Sequence, residues 1–344
     1  MDELSCGAVD DAVAMDASIA AAAWARFRTS PNPWVGAVVV LDGRIRGTGA
    51  TEPPGGLHAE RMAMEAAALT CGGSIGGSTL VTTLEPCHHT GRTEPCTEAI
   101  VAADVTRVVV AVEDPDSQVA GRGIDYLRGA GLEVIVGVRS LEVTEQLAPY
   151  LHHRRTGRPL VILKMATTFD GRTAAPDGSS KWITGPEARA DVHRMRAESD
   201  AVCVGSATVF ADNPRLDVRD WPDAVAMGAT NPRRIVLGAI PKDARVLPAD
   251  EHHGDLGELL DRLGDEGVLQ LLVEGGAQVA GRFHREGLVD RVVAYVAPTL
   301  LGGDDGRPFL AGAGVTAMTD VWRGCFTNVQ FLGEDLRLEM APKA

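Results

Sequence analysis

The feature that most constrains this chain is a set of metal-ligand residue types at fixed places in its first half. His58-Ala59-Glu60 follows Pro53-Pro54-Gly55-Gly56. Downstream lies Glu85-Pro86-Cys87-His88-His89-Thr90-Gly91-Arg92-Thr93-Glu94-Pro95-Cys96. One imidazole and two thiolates form a borderline-soft tetrahedral set with one position open. Such a set suits a catalytic zinc, because closed structural sites carry four protein ligands. A closed site that recruits His88 or His89 is the alternative. Glu60, two residues beyond His58, can stand beside the metal without binding it. There it can take a proton from water and pass it to a leaving group. Cys6, Cys71, Cys203 and Cys325 have no partners of this kind and read as buried or incidental thiols.

A chain of 344 residues is long enough for two domains, each with its own core. The pattern around the cysteines is that of a small α/β unit. It predicts helices over 11–27, 59–69, 97–103 and 124–128. Strands are expected over 35–41, 44–48, 79–84, 107–112 and 132–136, with an Asp42-Gly43 hairpin turn. The polar stretch His152-His153-Arg154-Arg155-Thr156-Gly157-Arg158-Pro159 reads as a solvated linker, giving domains over 12–150 and 159–341. Beyond it the alternation resumes. Strands are expected over 160–166, 201–204, 234–237, 268–273 and 290–296, helices over 187–198 and 277–285, and a loop over 219–233.

Net charge is −14. A nonspecific nucleic-acid binder needs a basic surface, so this balance argues against one. A small anionic substrate held by a few arginines remains compatible. No stretch approaches the length of a membrane span. The acidic start, Met1-Asp2-Glu3-Leu4, is unlike a signal peptide, and six cysteines are too few for a disulfide scaffold. A cytoplasmic enzyme is expected, with neither nucleic acid nor membrane as a partner.

His-x-Glu followed by proline-preceded cysteines is the zinc-deaminase signature, although here eight residues rather than two separate the cysteines. The Pro86–Cys96 stretch and Pro31-Asn32-Pro33-x-Val35-Gly36 carry the resemblance further. The chain is similar, over about residues 14–338, to the bifunctional deaminase-reductases of riboflavin biosynthesis. That resemblance implies a cytidine-deaminase-like α/β/α domain followed by a dihydrofolate-reductase-like α/β domain. It implies one Zn2+ per deaminase domain, held by His58, Cys87 and Cys96. The expected reaction is hydrolytic deamination of 2,5-diamino-6-(5-phosphoribosylamino)pyrimidin-4(3H)-one at the carbon bearing the 2-amino group, with Glu60 shuttling protons and ammonia leaving. Asn32 and His89 fall at substrate-binding positions, and an amide can pair with a pyrimidine edge. His88 stands where a small polar residue is usual.

In the second half no Gly-x-Gly-x-x-Gly follows a strand, so a Rossmann crevice is not supported. Trp182 in a polar loop could stack on a ring. Glu274-Gly275-Gly276, at a strand end before a helix, could let backbone approach a phosphate. The resemblance implies NADPH here, touching Ala166, Trp182, Thr208, Asp212, Gly275 and Gly276. The substrate, 5-amino-6-(5-phosphoribosylamino)uracil, would touch Ser180, Arg196, Leu216, Arg219 and Glu274, and its ribosyl group would become ribityl. Arg196 and Arg219 are the natural phosphate partners. Asn213, Lys181, Phe169 and the run Gly205-Ser206-Ala207-Thr208 depart from the usual pattern. They keep open a paralogue, or a single-activity deaminase acting on a related pyrimidine. The resemblance also implies a homo-oligomer, a dimer or tetramer.

Overall fold

A computed structural model describes residues 9–89 and 94–343. Thr90-Gly91-Arg92-Thr93 of the cysteine motif, Cys6 and the acidic start lie outside the described residues. The chain divides into two compact units, one ending at Thr156 and one beginning at Gly157.

In the first unit α1 (Asp11–Ala25) leads into β1 (Gly36–Leu41), β2 (Arg44–Ala50) and α2 (Ala59–Thr70). Next come β3 (Thr79–Leu84), α3 (Cys96–Ala102), β4 (Arg107–Val112), α4 (Arg122–Gly129) and β5 (Glu133–Val136), then α5 (Ser140–Gln146) and α6 (Ala148–Thr156). The sheet order is β2-β1-β3-β4-β5. β1 is antiparallel to β2 and β3, whereas β3, β4 and β5 run parallel.

α1 begins where Asp10 accepts a hydrogen bond from the Val13 amide at 2.8 Å, an N-cap. Its small residues Ala14, Ser18, Ala22 and Ala25 are buried. They let the helix sit so close to β1 that a Cβ at Gly36 would lie 1.9 Å from the Ser18 carbonyl oxygen. α2 approaches β2 as tightly: a Cβ at Gly49 would lie 2.3 Å from the Ala59 carbonyl oxygen. Gly36 pairs with Ala50, and Gly49 is one residue away on the pleat, so α1 and α2 cover opposite faces. The unit is α/β/α, as expected.

The second unit opens with β6 (Leu160–Thr168), β7 (Arg172–Ala174), α7 (Pro186–Ala197), β8 (Ala201–Gly205) and α8 (Ser206–Asp212). It continues with β9 (Arg233–Leu237), β10 (Asp250–His252), α9 (Leu256–Asp265), β11 (Gln270–Val273) and α10 (Ala277–Arg285). β12 (Arg291–Ala297), β13 (Arg307–Pro308), β14 (Gly324–Leu332) and β15 (Asp335–Pro342) complete it. The large sheet has the order β10-β9-β8-β11-β6-β12-β15-β14, parallel as far as β12 and antiparallel over the last two strands. One core packs Leu256, Leu259, Leu260 and Leu263 of α9 and Phe283 of α10 on Val161, Leu163, Leu271 and Val273. Each such side chain contributes about 1.5–3 kcal/mol on burial.

One sequence expectation is corrected. His152 to Arg155 are not linker but the end of α6, and His153 is buried. Tyr150, Leu151 and His153 point into the unit, and the intervening polar residues that suggested a linker are the solvent side of an amphipathic helix. The chain divides inside the expected stretch, at Gly157, whose φ of +75° favours glycine.

Candidate functional site

Three local structures bring the metal-ligand types together. His58 is the N-cap residue of α2, Cys87 lies three residues beyond β3, and Cys96 is the first residue of α3. The His58 Nδ1 atom is 3.5 Å from Cys87 Sγ and 3.3 Å from Cys96 Sγ. All three ligand atoms lie within 4.8 Å of one another. The Cys96 amide donates to Cys87 Sγ at 3.4 Å, a contact that favours a thiolate. Hydrogen bonding from Cys96, against the cost of burial, brings the Cys87 thiol down to about 4, with His58 acting in the same direction. Two helix N-termini face the cluster, adding positive potential beside the thiolates. A nitrogen and two sulfurs in this spacing fit zinc.

Among the described residues the cluster contains His58, Cys87 and Cys96 and no fourth ligand. His88 is engaged elsewhere: its Nδ1 is 2.9 Å from Thr97 Oγ1, and its ring stacks on Tyr126 with centroids 4.2 Å apart. His89 is exposed. Glu60 is 4% exposed, in the first turn of α2, and close enough to Cys96 to share a hydrogen bond. Burial raises its carboxyl to about 7, although His58 pulls it down. A carboxyl held there can both accept and release a proton near neutrality. Asn32 is half-buried in the turn before β1, where its backbone N–H donates to the Thr29 carbonyl at 2.8 Å.

In the second unit the expected contact residues gather at the C-terminal ends of β6, β8 and β11. Glu274 follows β11, and its amide donates to the Cys203 carbonyl at 2.9 Å. Gly275 and Gly205 leave room for Val279 of α10: a Cβ would lie 2.5 Å and 2.8 Å, respectively, from its methyl-bearing atoms. Gly276 caps α10 without a side-chain acceptor, and a Cβ there would lie 3.8 Å from Thr208 Oγ1. Bare first-turn amides of this kind suit a phosphate. Asp212, at the end of α8, pairs with Lys181 Nζ at 2.9 Å. Trp182 is 69% exposed on one side, while the Arg189 guanidinium covers its ring at 4.6 Å. Arg189 also donates to the Thr184 carbonyl at 2.6 Å and so fixes the loop. Ser180 lies in the same loop, and Ala166 is paired with Tyr295 inside the sheet. This arrangement fits a dinucleotide.

The two arginines differ. Arg196 is largely buried and bidentate on Glu274, at 2.6 and 2.9 Å, with a third bond to the Asp217 carbonyl at 3.1 Å. Glu274 is pushed up by burial, yet Arg196 holds it below the usual carboxylate range. Arg219 is more open and pairs with Asp217 and, at 3.3 Å, with Asp220. Leu216 is buried with a φ of +52°, a strained conformation for a branched residue. Asn213 departs from the usual pattern for a local reason. It closes α8 with a φ of +42°, which asparagine tolerates, and its Oδ1 accepts from the Arg245 amide at 2.7 Å.

The sequence reading gave no role to Lys164. Burial pushes its ammonium pKa down and Glu274 opposes that, so it stands in the same charged cluster. The available signal was a lysine inside the apolar strand Leu160-Val161-Ile162-Leu163-Lys164-Met165.

An α/β/α unit with a His/Cys/Cys cluster defines a zinc-dependent deaminase of the cytidine type, joined here to a second α/β unit. Residues 9–112 match the cytidine and deoxycytidylate deaminase zinc-binding region, and residues 159–337 match the RibD C-terminal domain. The chain is 44% identical to the riboflavin biosynthesis protein RibD of Mycobacterium tuberculosis, covering 92% of each. It is 38% identical to that of Escherichia coli, covering 92% of this chain and 95% of that one. Acinetobacter baumannii RibD superposes with a TM-score of 0.89 at 36% identity, over 97% of this chain and 99% of that one. A Thermotoga maritima diaminohydroxyphosphoribosylaminopyrimidine deaminase/5-amino-6-(5-phosphoribosylamino)uracil reductase gives 0.88 at 34% identity, with the same coverage. The chain belongs to the RibD family, the bifunctional deaminase-reductases of riboflavin biosynthesis, with a zinc-binding deaminase domain and an NADPH-using, dihydrofolate-reductase-like second domain.

Proposed function

We propose that His58, Cys87 and Cys96 hold the zinc of the deaminase, that Glu60 moves the protons, and that Asn32 and His89 orient the pyrimidine. The observation that carries this reading is the buried Glu60 carboxyl beside a three-ligand cluster. Zinc, when bound, would acidify a water in its open position, supplying the nucleophile for the amidine-like carbon. Glu60 then takes the proton from water and delivers it to the departing amine, so ammonia leaves neutral. Asn32 offers one donor and one acceptor to the ring edge.

The same reading assigns Ala166, Trp182, Thr208, Asp212, Gly275 and Gly276 to NADPH, which supplies hydride when bound. Ser180, Arg196, Leu216, Arg219 and Glu274 would line the pocket for the phosphoribosylaminouracil. Arg219, the more open arginine, is the better direct phosphate partner. Arg196 acts by holding Glu274, since a phosphate would have to displace two charge-assisted bonds. Supplying the diaminopyrimidine with and without NADPH tests the assignment. Glu60→Gln should release ammonia from it about 10²–10⁴-fold more slowly yet still oxidise NADPH with the deaminated substrate. Ammonia release by Glu60→Gln at the wild-type rate would remove Glu60 from the mechanism.

The reading extends to a homo-oligomer formed through the second unit. Its support is edge strand β14, which exposes Phe326, Val329 and Phe331. Sedimentation of Phe326→Lys/Phe331→Lys should give a smaller species than wild type, and an unchanged mass would move the interface elsewhere. A cytoplasmic location is also part of the reading. Its support is that Cys71, Cys87, Cys96, Cys203 and Cys325 are all free thiols, as a reducing compartment keeps them.

A further inference from the structure

We propose that Glu85 is a positioning residue for the metal: its carboxylate, seated on the backbone at the start of α4, fixes where Cys87 presents its sulfur. This rests on the reading of Cys87 as a ligand. Glu85 follows the last residue of β3 and is 4% exposed. Among the described residues no arginine or lysine pairs with it. Four backbone amides do instead. Oε2 accepts from Asp114 at 3.2 Å and Gly121 at 3.0 Å, and Oε1 accepts from Gly123 at 2.9 Å and Ile124 at 3.2 Å. A buried carboxylate is costly unless its lone pairs are satisfied. A fully satisfied one is a rigid joint, because each oxygen is held from two directions.

The joint lies two residues from the ligand, and the residue between them is Pro86, whose ring fixes φ. Gly123 permits the approach: a Cβ there would sit 2.1 Å from the Pro86 carbonyl oxygen and 3.2 Å from Glu85 Oε1. On the far side, the Cys87 carbonyl accepts the Thr97 amide at 3.2 Å, and Cys87 Sγ accepts the Cys96 amide at 3.4 Å. Cys87 is therefore held between α4 and α3. The segment that cups Glu85 is itself anchored, since the buried Tyr150 hydroxyl donates to the Asp114 carboxylate, 3.0 Å from Oδ2 and 3.2 Å from Oδ1.

Glu85→Gln keeps the shape but turns one oxygen into an NH2 that faces two amide donors. Groups that orient metal ligands typically contribute about 10–100-fold to metal affinity or activity. The test uses the full-length zinc-loaded chain and measures three quantities: the half-time of zinc transfer to a chromogenic chelator, the visible spectrum after cobalt exchange, and deaminase kcat and KM. Glu85→Gln should lose zinc roughly 10–100-fold faster, shift the cobalt bands, and lower kcat more than it raises KM. Leu147→Ala, a core truncation in the same unit, should lose zinc at nearly the wild-type rate. If Glu85→Gln does not fold, Tyr150→Phe replaces it, with a smaller acceleration expected. The proposal is overturned by a wild-type half-time and cobalt spectrum in the folded variant, or by equal acceleration in Leu147→Ala. Zinc content of His58→Ala separates the two levels. Zinc retained there removes the ligand assignment itself. Zinc lost there but held normally by Glu85→Gln removes only the positioning role.

Discussion

The two units hold their reactive groups in different ways. In the first, every ligand of the metal cluster sits at a helix start or in the loop after β3; the two cysteines lie nine positions apart in one motif, and His58 is brought to them from 29 and 38 positions away. In the second, the candidate contact residues come from the ends of separate strands and from loops, and the ion pair among them joins residues 78 positions apart. A site built on helix starts and the loop after β3 can be tested by removing the metal or one carboxylate. A site built on strand ends is coupled to the core, so its residues act on stability as well as on substrate.

The largest effect should come from metal removal. Chelation should abolish deamination and leave NADPH oxidation with the deaminated substrate near its original rate, measured on one sample. Loss of both activities would break the contrast between the units. Next is Glu60→Gln, expected to slow ammonia release about 10²–10⁴-fold while zinc content stays unchanged. Arg196→Met should destabilise the second unit by about 3–5 kcal/mol, because it leaves Glu274 buried and unpaired. Urea unfolding reads this, and an unchanged midpoint would mean that the buried pair adds no net stability. Trp182→Ala should weaken NADPH binding by roughly 1–3 kcal/mol, the scale of base-aromatic stacking. Fluorescence titration of the cofactor checks it, with unaltered affinity ruling out the stack.

The smallest effect is a pH slope in the second unit. Burial pushes Asp191 up, but Arg194, the Tyr295 hydroxyl at 2.5 Å and Arg337 at 2.7 Å hold it below the usual range. A carboxyl lowered by folding contributes stability that is present above its unfolded value, about 4, and lost as pH falls through the folded one. Urea midpoints should therefore fall with acidification below that value, and Asp191→Asn should flatten the slope. An equal slope in the variant would assign it to other carboxylates.

The same contrast explains what could be read from sequence. His58, Glu60, Cys87 and Cys96 were legible because residue type and local spacing carry the chemistry. Glu85 was visible at the head of the motif, but its partners lie 29 to 39 residues away, and only folding brings them to it. The Arg196–Glu274 pair was hidden for the same reason. Both residues read as substrate contacts, and the structure adds that they pair with each other. α6 was missed because polarity does not separate a linker from the wet side of a helix. β14 was missed because a bulge between Phe326 and Asn328 breaks the alternation that marks a strand.

The claim most exposed is that the metal has three protein ligands and an open fourth position. Zinc K-edge absorption on the full chain tests it directly. The account expects one nitrogen at about 2.0–2.1 Å, two sulfurs at about 2.3 Å and one light oxygen atom. Two nitrogens with two sulfurs, with His88 drawn off Thr97 or His89 drawn in from solvent, would contradict it.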